Sequence, residues 1–293
     1  MNVIALDVGG SSIKSGWIDS PGHLVNDVLH TPVDSTASAD HIIERLYQVI
    51  REYRSQHQTV NGIGIAFPGP FDYQNGVSYI ANLEKYGTLY NRNVRDALNA
   101  YDGLADMPIR FRNDAEAAIV GEALYGAARG SRRVLGVTLG TGFGSAFLID
   151  GVPQTSGMGI PVNGWLYPEL VADWAGGMTR ADDRFSTRGL LKRFTESGVS
   201  VNDVAQAAAL ARQGDPTLLM LFEEFGHRLG VFLAPFVEAF NADCVLVTGG
   251  IANAFDLFEH ALIGGLRLSG KSASVRRGTL GAVAALFGAA VLI

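Results

Sequence analysis

The sequence predicts a two-domain α/β protein. Three observations carry that expectation: a length of 293 residues, a strand and glycine-turn unit that occurs twice, and strand-like and helix-like segments alternating towards the C-terminus. Chains of this length commonly outgrow one core and divide. Of the residues, 47% are apolar and 18% charged, which suits a packed globular chain and excludes a largely disordered one.

The repeat emerges when Leu6-Asp7-Val8-Gly9-Gly10-Ser11-Ser12 is laid over Val137-Thr138-Leu139-Gly140-Thr141-Gly142-Phe143. The match runs without a gap to Ile18-Asp19 against Ile149-Asp150, so it covers a supersecondary unit. Each copy reads as a β-hairpin, because Ile13 to Ile18 and Ser145 to Ile149 lack helical periodicity and end in turn signals. Neither glycine cluster matches the dinucleotide fingerprint or the P-loop, where glycines lead into a helix. Small residues here let the backbone approach phosphate oxygens, to which hydroxyls and amides donate. One glycine hairpin is an ordinary tight turn; two at corresponding places point to phosphate.

Between the hairpins, His41 to Gln56 carries apolar residues at helical spacing. A buried-type strand, Gly62 to Phe67, ends in Pro68-Gly69-Pro70, which is either a plain turn or a rigid ligand wall. The strand Ile109 to Arg112 delivers Asn113-Asp114 to a helix from about Ala115 to Tyr125. Taken locally, helix capping is a sufficient account of that pair. Val201 to Arg212 and Leu218 to Phe240 read as helices, the second kinked or divided at Pro235. The strand Cys244 to Thr248 stops at Gly249-Gly250, a turn or a close approach for a flat base or ribose, and Ile251-Ala252-Asn253 leads into a helical stretch through Leu262.

The formal charge of -6 argues against nucleic acid or an anionic membrane as partner and favours small molecules. Cys244, the single cysteine, excludes an internal disulfide and a cysteine-rich zinc site, and its apolar surroundings suggest a buried strand position. The N-terminus shows no signal-type apolar region, so cytoplasmic residence is expected. The tract Leu280 to Ile293 is glycine-interrupted and shorter than the ~20 residues a bilayer requires, and reads as a packed helix. His227, on a helical stretch, reads as a surface or satisfied histidine.

Together these motifs resemble the ROK family (repressors, open reading frames and kinases) of the actin-like ATPase superfamily, and the resemblance covers nearly the whole chain. Asp7-Val8-Gly9-Gly10-Ser11-Ser12-Ile13-Lys14 resembles its first phosphate segment and Leu139-Gly140-Thr141-Gly142-Phe143-Gly144-Ser145 its second. Thr248-Gly249-Gly250-Ile251 is similar to its adenosine segment, and Asn113-Asp114-Ala115 to its sugar-binding and catalytic pair. The resemblance implies two ribonuclease H-like domains with a ligand cleft between them: 1–115, completed by a C-terminal helix 278–293, and 116–277. It also implies an ATP-dependent sugar kinase acting on a hexose or amino sugar.

In such a kinase Asp114 would take the hydroxyl proton, and Asn113 would hold a neighbouring hydroxyl. Asp7 would help hold Mg²⁺ through water. Nucleotide contacts would come from Asp7, Gly9, Gly10, Ser11, Ser12, Lys14, Gly140, Thr141, Gly142, Gly249, Gly250 and Ile251. Sugar contacts would come from Pro68, Gly69, Asn82, Asn113, Asp114, Asn163 and Asp182. Asp182 stands four residues before Ser186, where the family places a glutamate on sugar hydroxyls; capping at a helix start would select the segment equally, and sugar contact is slightly favoured. Trp165 either faces a pyranose or anchors a loop.

Two departures qualify the resemblance. The family's cysteine-rich zinc segment is missing, so no structural zinc is expected. Its Gly-Glu-x-Gly-His element is replaced by Ser156-Gly157-Met158-Gly159-Ile160 and Pro161 to Tyr167, which puts a glucose preference in doubt. A catalytically silent sugar or nucleotide sensor is therefore the alternative. A transcriptional regulator is disfavoured, since a strand starting at Asn2 leaves no room for a helix-turn-helix ahead of it. Gly249-Gly250-Ile251 favours ATP over polyphosphate as donor, and a homodimer is in keeping with the family.

Overall fold

A computed structural model describes residues 2–57, 59–81, 85–174, 176–270 and 272–293, apart from the Ser269 side chain. The chain forms two units, Met1–Gly121 with Ala282–Ile293, and Glu122–Gly281. Strands β1 (Val3–Val8), β2 (Ser12–Ser20), β3 (His23–Leu24) and β4 (Leu29–Pro32) come first. Helix α1 (Ala39–Gln56) leads to β5 (Gly62–Phe67), then to the short pair β6 (Phe71–Asp72) and β7 (Val77–Ser78). Next are α2 (Val94–Asn99), β8 (Ile109–Asn113) and α3 (Asp114–Tyr125). The second unit continues with β9 (Arg133–Leu139), β10 (Phe143–Ile149), β11 (Val152–Gln154), β12 (Leu170–Ala172) and β13 (Met178–Arg180). Helices α4 (Ala181–Phe185), α5 (Thr187–Glu196), α6 (Val204–Arg212) and α7 (Pro216–Phe240) follow, then β14 (Cys244–Thr248), α8 (Glu259–Leu266) and β15 (Ser274–Arg277). Helix α9 (Ala284–Ala290) belongs to the first unit.

The two main sheets have one topology. Their strand orders are β3-β2-β1-β5-β8 and β11-β10-β9-β14-β15. In each, a hairpin pair is antiparallel (β1 with β2, β9 with β10) and the next two pairings are parallel. The duplication seen in the glycine hairpins thus extends to five strands of each sheet, the first adding β4 beside β2: β14 stands for β5, and β15 for β8. By the same correspondence Gly249-Gly250, after β14, takes the place of Pro68-Gly69, after β5.

Each unit has its own apolar core. In the first, α1 is capped by Ser38, whose hydroxyl accepts the His41 N–H, and it buries Ile42, Ile43, Leu46, Val49, Ile50 and Tyr53. Each such aliphatic side chain contributes about 1.5–3 kcal/mol by leaving water. In the second, phenylalanines of α4, α5 and α7 meet one another and Phe143, Phe147 and Phe258 at ring distances of 5.1–6.0 Å. Cys244 lies in β14 as a free, buried thiol, and burial pushes its pKa up.

Three expectations change, each for a physical reason. Helix α9 starts at Ala284 after a 3-10 turn at Gly281–Val283, not at Gly278, because residues 278–280 are bound within the second unit. There the Gly278 N–H donates to Val247 O (2.9 Å) and the Leu280 N–H to Glu122 Oε1 (2.7 Å). The division at the other crossing falls inside α3, not ahead of it: Gly121 packs on Ala284 in the first unit, whereas the fully buried Glu122 also accepts the Ala127 N–H (2.9 Å) in the second. Helix α7 runs unbroken through Pro235. Pro235 and Val231, whose carbonyl loses its i+4 donor, both lie on the exposed face, where that carbonyl is open to solvent.

Helix α9 approaches its neighbours at glycines. A Cβ on Gly64 would lie 2.2 Å from Ala289 O, on Gly121 2.0 Å from Ala284 O, and on Gly288 1.8 Å from Ala117 O. Backbone meets backbone at these points, so no side chain can give way. At the β12–β13 hairpin, Arg184 of α4 is fully buried with its guanidinium stacked 3.3 Å over Trp174, and it donates to Ala172 O (2.6 Å). Desolvation, with Arg228 nearby, pushes the pKa of Arg184 down to about 10. Among the described residues no helix is long and apolar enough to cross a membrane.

Candidate active site

In the first unit, parallel pairing sets the candidate site. The registers Asp7↔Ala66 and Phe67↔Asn113 bring the C-terminal ends of β1, β5 and β8 level, and ligands of α/β sheets characteristically bind beyond such ends. Asp7, Pro68-Gly69 and Asn113-Asp114 are therefore neighbours through topology, although they are far apart in sequence. A Cβ on Gly69 would lie 3.0 Å from Tyr73 Oη and 4.0 Å from Asn113 Nδ2.

The helix cap is Asn113, not Asp114. Asn113 Oδ1 accepts the Glu116 N–H (3.1 Å), and its amide donates to Tyr73 Oη (3.1 Å), which in turn donates to Phe67 O (3.2 Å). Capping thus occupies Asn113 and leaves Asp114 as the first residue of α3. Asp114 Oδ1 accepts its neighbour Ala115's N–H (2.9 Å), while Oδ2 has no hydrogen bond among the described residues. Burial pushes the Asp114 pKa above the usual carboxylate range; the Ala115 N–H and Lys85 oppose the rise, and the Asp7 charge adds to it.

On the first hairpin, Asp7 faces Lys14 across β1 and β2, and Lys14 Nζ donates to Asp7 Oδ2 (2.8 Å). The turn closes through the Gly9 N–H to Ser12 O (3.0 Å), and Ser11 O accepts the Val33 N–H (3.1 Å). Gly10 and the Ser11 side chain are exposed. Sequence reasoning missed two residues beside this turn. Tyr86, fully buried and at a positive φ of 59°, donates its hydroxyl to Gly9 O (2.5 Å). Lys85 places its Cδ 3.4 Å from where a Gly10 Cβ would stand, and it forms no ion pair among the described residues. A lysine-tyrosine pair in a loop gives no signal in the sequence beyond its composition.

In the other unit, Thr138↔Thr248 brings the ends of β9 and β14 level. Leu139-Gly140 and Gly249-Gly250 are therefore adjacent. Gly249 has φ 93°, and a Cβ there would meet Leu139 O at 2.5 Å, so glycine is required; Gly140 and Gly250 face open space on the Cβ side. Thr141 and Gly142, at the turn's tip, are exposed. Ile251 is 1% exposed and its side chain belongs to the core, so only its backbone is left for a ligand.

Other expected sugar residues are placed differently from one another. Pro68 is buried, and Asn163 is exposed at φ 59° within a 3-10 turn, Val162–Gly164. The turn is pinned to β10 by Ser145, whose hydroxyl donates to Gly164 O (2.7 Å) and accepts the Leu166 N–H (2.8 Å). Asp182 is engaged at both oxygens, by the Phe143 N–H (2.8 Å) and by Arg188 (3.1 Å). Trp165 stands against Tyr167 at 5.8 Å. Asn82 lies outside the described residues.

The donor set near Asp7 suits a hard divalent cation that keeps its waters and takes its remaining ligands from phosphate. Lys14 occupies Asp7 Oδ2, which leaves Oδ1 for such a cation. No group of three or more His, Cys, Asp or Glu able to enclose a metal occurs among the described residues. The open Cβ sides of Gly140 and Gly250 fit the close approach of a nucleotide.

Comparison with known proteins bears on these features. A glucokinase of Thermotoga maritima is 26% identical over 277 residues, covering 88% of this chain and 84% of the relative. The crystal structure of a ROK hexokinase from Thermus thermophilus superposes with a TM-score of 0.79 at 26% identity, covering 99% of this chain and 97% of the other. A ROK family glucokinase from Streptomyces griseus, solved with glucose and AMPPNP, gives 0.77 at 23% identity, over 100% and 99% of the two chains. The fold class is the one expected, an α/β chain of the actin-like ATPase type. The profile of the ROK family matches residues 3–293, and the chain belongs to that family.

Proposed function

We propose that this protein transfers the terminal phosphate of ATP to a hydroxyl of a hexose or amino sugar, with Asp114 as general base. The observation that carries the reading is the state of Asp114: a half-buried carboxylate at a strand end, with one oxygen held by its own helix and the other without a hydrogen bond among the described residues. A base needs a free oxygen in a fixed direction, and a raised pKa strengthens it as a proton acceptor. Asn113, held by Tyr73, would orient a second hydroxyl, with Gly69 leaving room beside it.

Phosphoryl transfer asks little covalent chemistry of a protein; it requires alignment and charge stabilisation. Donors on the first turn would come from Gly10, Ser11, Ser12 and Lys14, and on the second from Gly140, Thr141 and Gly142. Gly249, Gly250 and the Ile251 backbone would take the adenosine. Mg²⁺ held through Asp7 would neutralise phosphate charge. The Streptomyces griseus relative with AMPPNP and glucose supports both substrate classes.

A coupled assay of ADP release over a sugar panel tests the reading, with polyphosphate as a second donor arm. Sugar-dependent ADP release is expected, and its absence with every sugar rejects the proposal. The loop that replaces the family's acidic and histidine element favours one competitor, a silent sensor, because it offers Met158 (84% exposed) and Val162 (81% exposed) instead. Calorimetry that finds tight sugar binding without turnover would select the sensor.

The pKa shift sets a pH dependence. Asp114 must be ionised to act, and its free-enzyme pKa is raised by burial. Activity is therefore lost, as pH falls, at a higher pH than an ordinary aspartate value of about 3.9 would give. The acid limb of kcat/KM reads this; a limb at or below the ordinary value contradicts the assignment.

A further inference from the structure

We propose that Asp182 is a positioning residue for the phosphate-binding turn of the second unit, and not a sugar ligand. The inference rests on the kinase reading above. Its basis is the hydrogen-bond accounting of the turn Gly140–Phe143. The Gly140 N–H closes the turn on Gly142 O (3.0 Å), and Gly140 O accepts the Thr187 N–H (2.8 Å). The Phe143 N–H donates to Asp182 Oδ1 (2.8 Å). Only the N–H groups of Thr141 and Gly142 have no partner among the described residues. These two, with the exposed Thr141 hydroxyl, are the donors an anionic phosphate oxygen would meet.

The turn is thus gripped at both ends by one structural corner, residues 182–187, where α4 gives way to α5. That corner is itself rigid. The Ser186 hydroxyl accepts the Gly189 N–H (3.4 Å), and a Cβ on Gly189 would strike Asp183 O at 2.3 Å. Arg188 holds the other Asp182 oxygen (3.1 Å) together with Asp183 (2.7 Å), which fixes the carboxylate's orientation and offsets its charge beside a phosphate site. Asp182 Oδ1 also lies 3.3 Å from where a Gly142 Cβ would stand, so the carboxylate fills the space behind the turn. Fixed donors need no rearrangement when the ligand arrives, and this is how preorganisation strengthens binding.

Asp182→Ala and Asp182→Asn separate the two roles. Asparagine keeps an oxygen that accepts the Phe143 N–H; alanine does not. Loss of a hydrogen bond to a charged group is expected to raise KM for ATP about tenfold in Asp182→Ala, with KM for the sugar within about twofold. Asp182→Asn should restore KM for ATP to within about twofold of wild type. Amide exchange at Phe143, followed by mass spectrometry or NMR, should quicken in the alanine variant alone. A tenfold rise in sugar KM in Asp182→Asn with ATP unaffected would overturn the inference in favour of a sugar ligand. Should the wild type transfer no phosphate, the kinase reading fails, and exchange still decides the clamp: unchanged Phe143 exchange in Asp182→Ala removes it.

Discussion

Asp114→Asn lowers kcat by about 10²-fold or more and leaves the sugar dissociation constant within about threefold. Asparagine is nearly isosteric and can still accept the Ala115 N–H through Oδ1, as Asp114 does at 2.9 Å, so α3 keeps its start. What it lacks is an oxygen able to take a proton. Stability provides the control. Burial raises the folded-state pKa of Asp114 above its unfolded value, so its ionisation opposes folding at pH above that folded pKa and ceases to do so once pH falls below the unfolded one. Near neutral pH the amide removes this opposition, and the variant should melt no lower than wild type. Single-turnover kinetics and calorimetry, with a melting curve alongside, check all three parts; full activity in the variant rejects Asp114 as base.

Gly288→Ala destabilises the protein by about 3 kcal/mol. The added Cβ would stand 1.8 Å from Ala117 O of α3, and Gly288 O is itself held by Arg112 Nη1 at 2.7 Å. Neither backbone can retreat without breaking the small-residue cluster of Ala66, Ala117, Ala285 and Ala289. Gly264→Ala is the matched control: its Cβ side faces open space on an exposed helical position. There alanine should be neutral or stabilising by about 0.5 kcal/mol. Chemical denaturation of the two variants measures the difference, and equal stabilities would contradict the packing of α9 on α3.

Features that depend on local pattern were legible in the sequence. The hairpin repeat showed in Asp7-Val8-Gly9 against Thr138-Leu139-Gly140 because strand alternation and turn glycines are short-range signals. The shared sheet order that places β14 opposite β5 is long-range and needed the pairing itself. Asn113 and Asp114 illustrate the same limit within one dipeptide. Capping explains either residue from sequence alone, whereas the bonds to Glu116 and Tyr73 show that only Asn113 is spent on it. Asp182 was placed near function by its distance from Ser186, but its partner Phe143 is 39 residues away. Glu122 could have been noticed as a lone charge among Ile119, Val120, Gly121, Ala123 and Leu124. Its bond to Leu280 spans 158 residues and has no local signature.

The central claim is that ATP's terminal phosphate becomes an ester of a sugar hydroxyl. Phosphorus NMR of a reaction containing the protein, Mg²⁺, ATP and each sugar of a hexose and amino-sugar panel tests it most directly. The predicted result is a sugar phosphate monoester growing in step with the loss of the γ-phosphate resonance, absent or much slowed with Asp114→Asn. Inorganic phosphate as the sole product, or an unchanged ATP spectrum in the presence of a sugar that calorimetry shows to be bound, would contradict it.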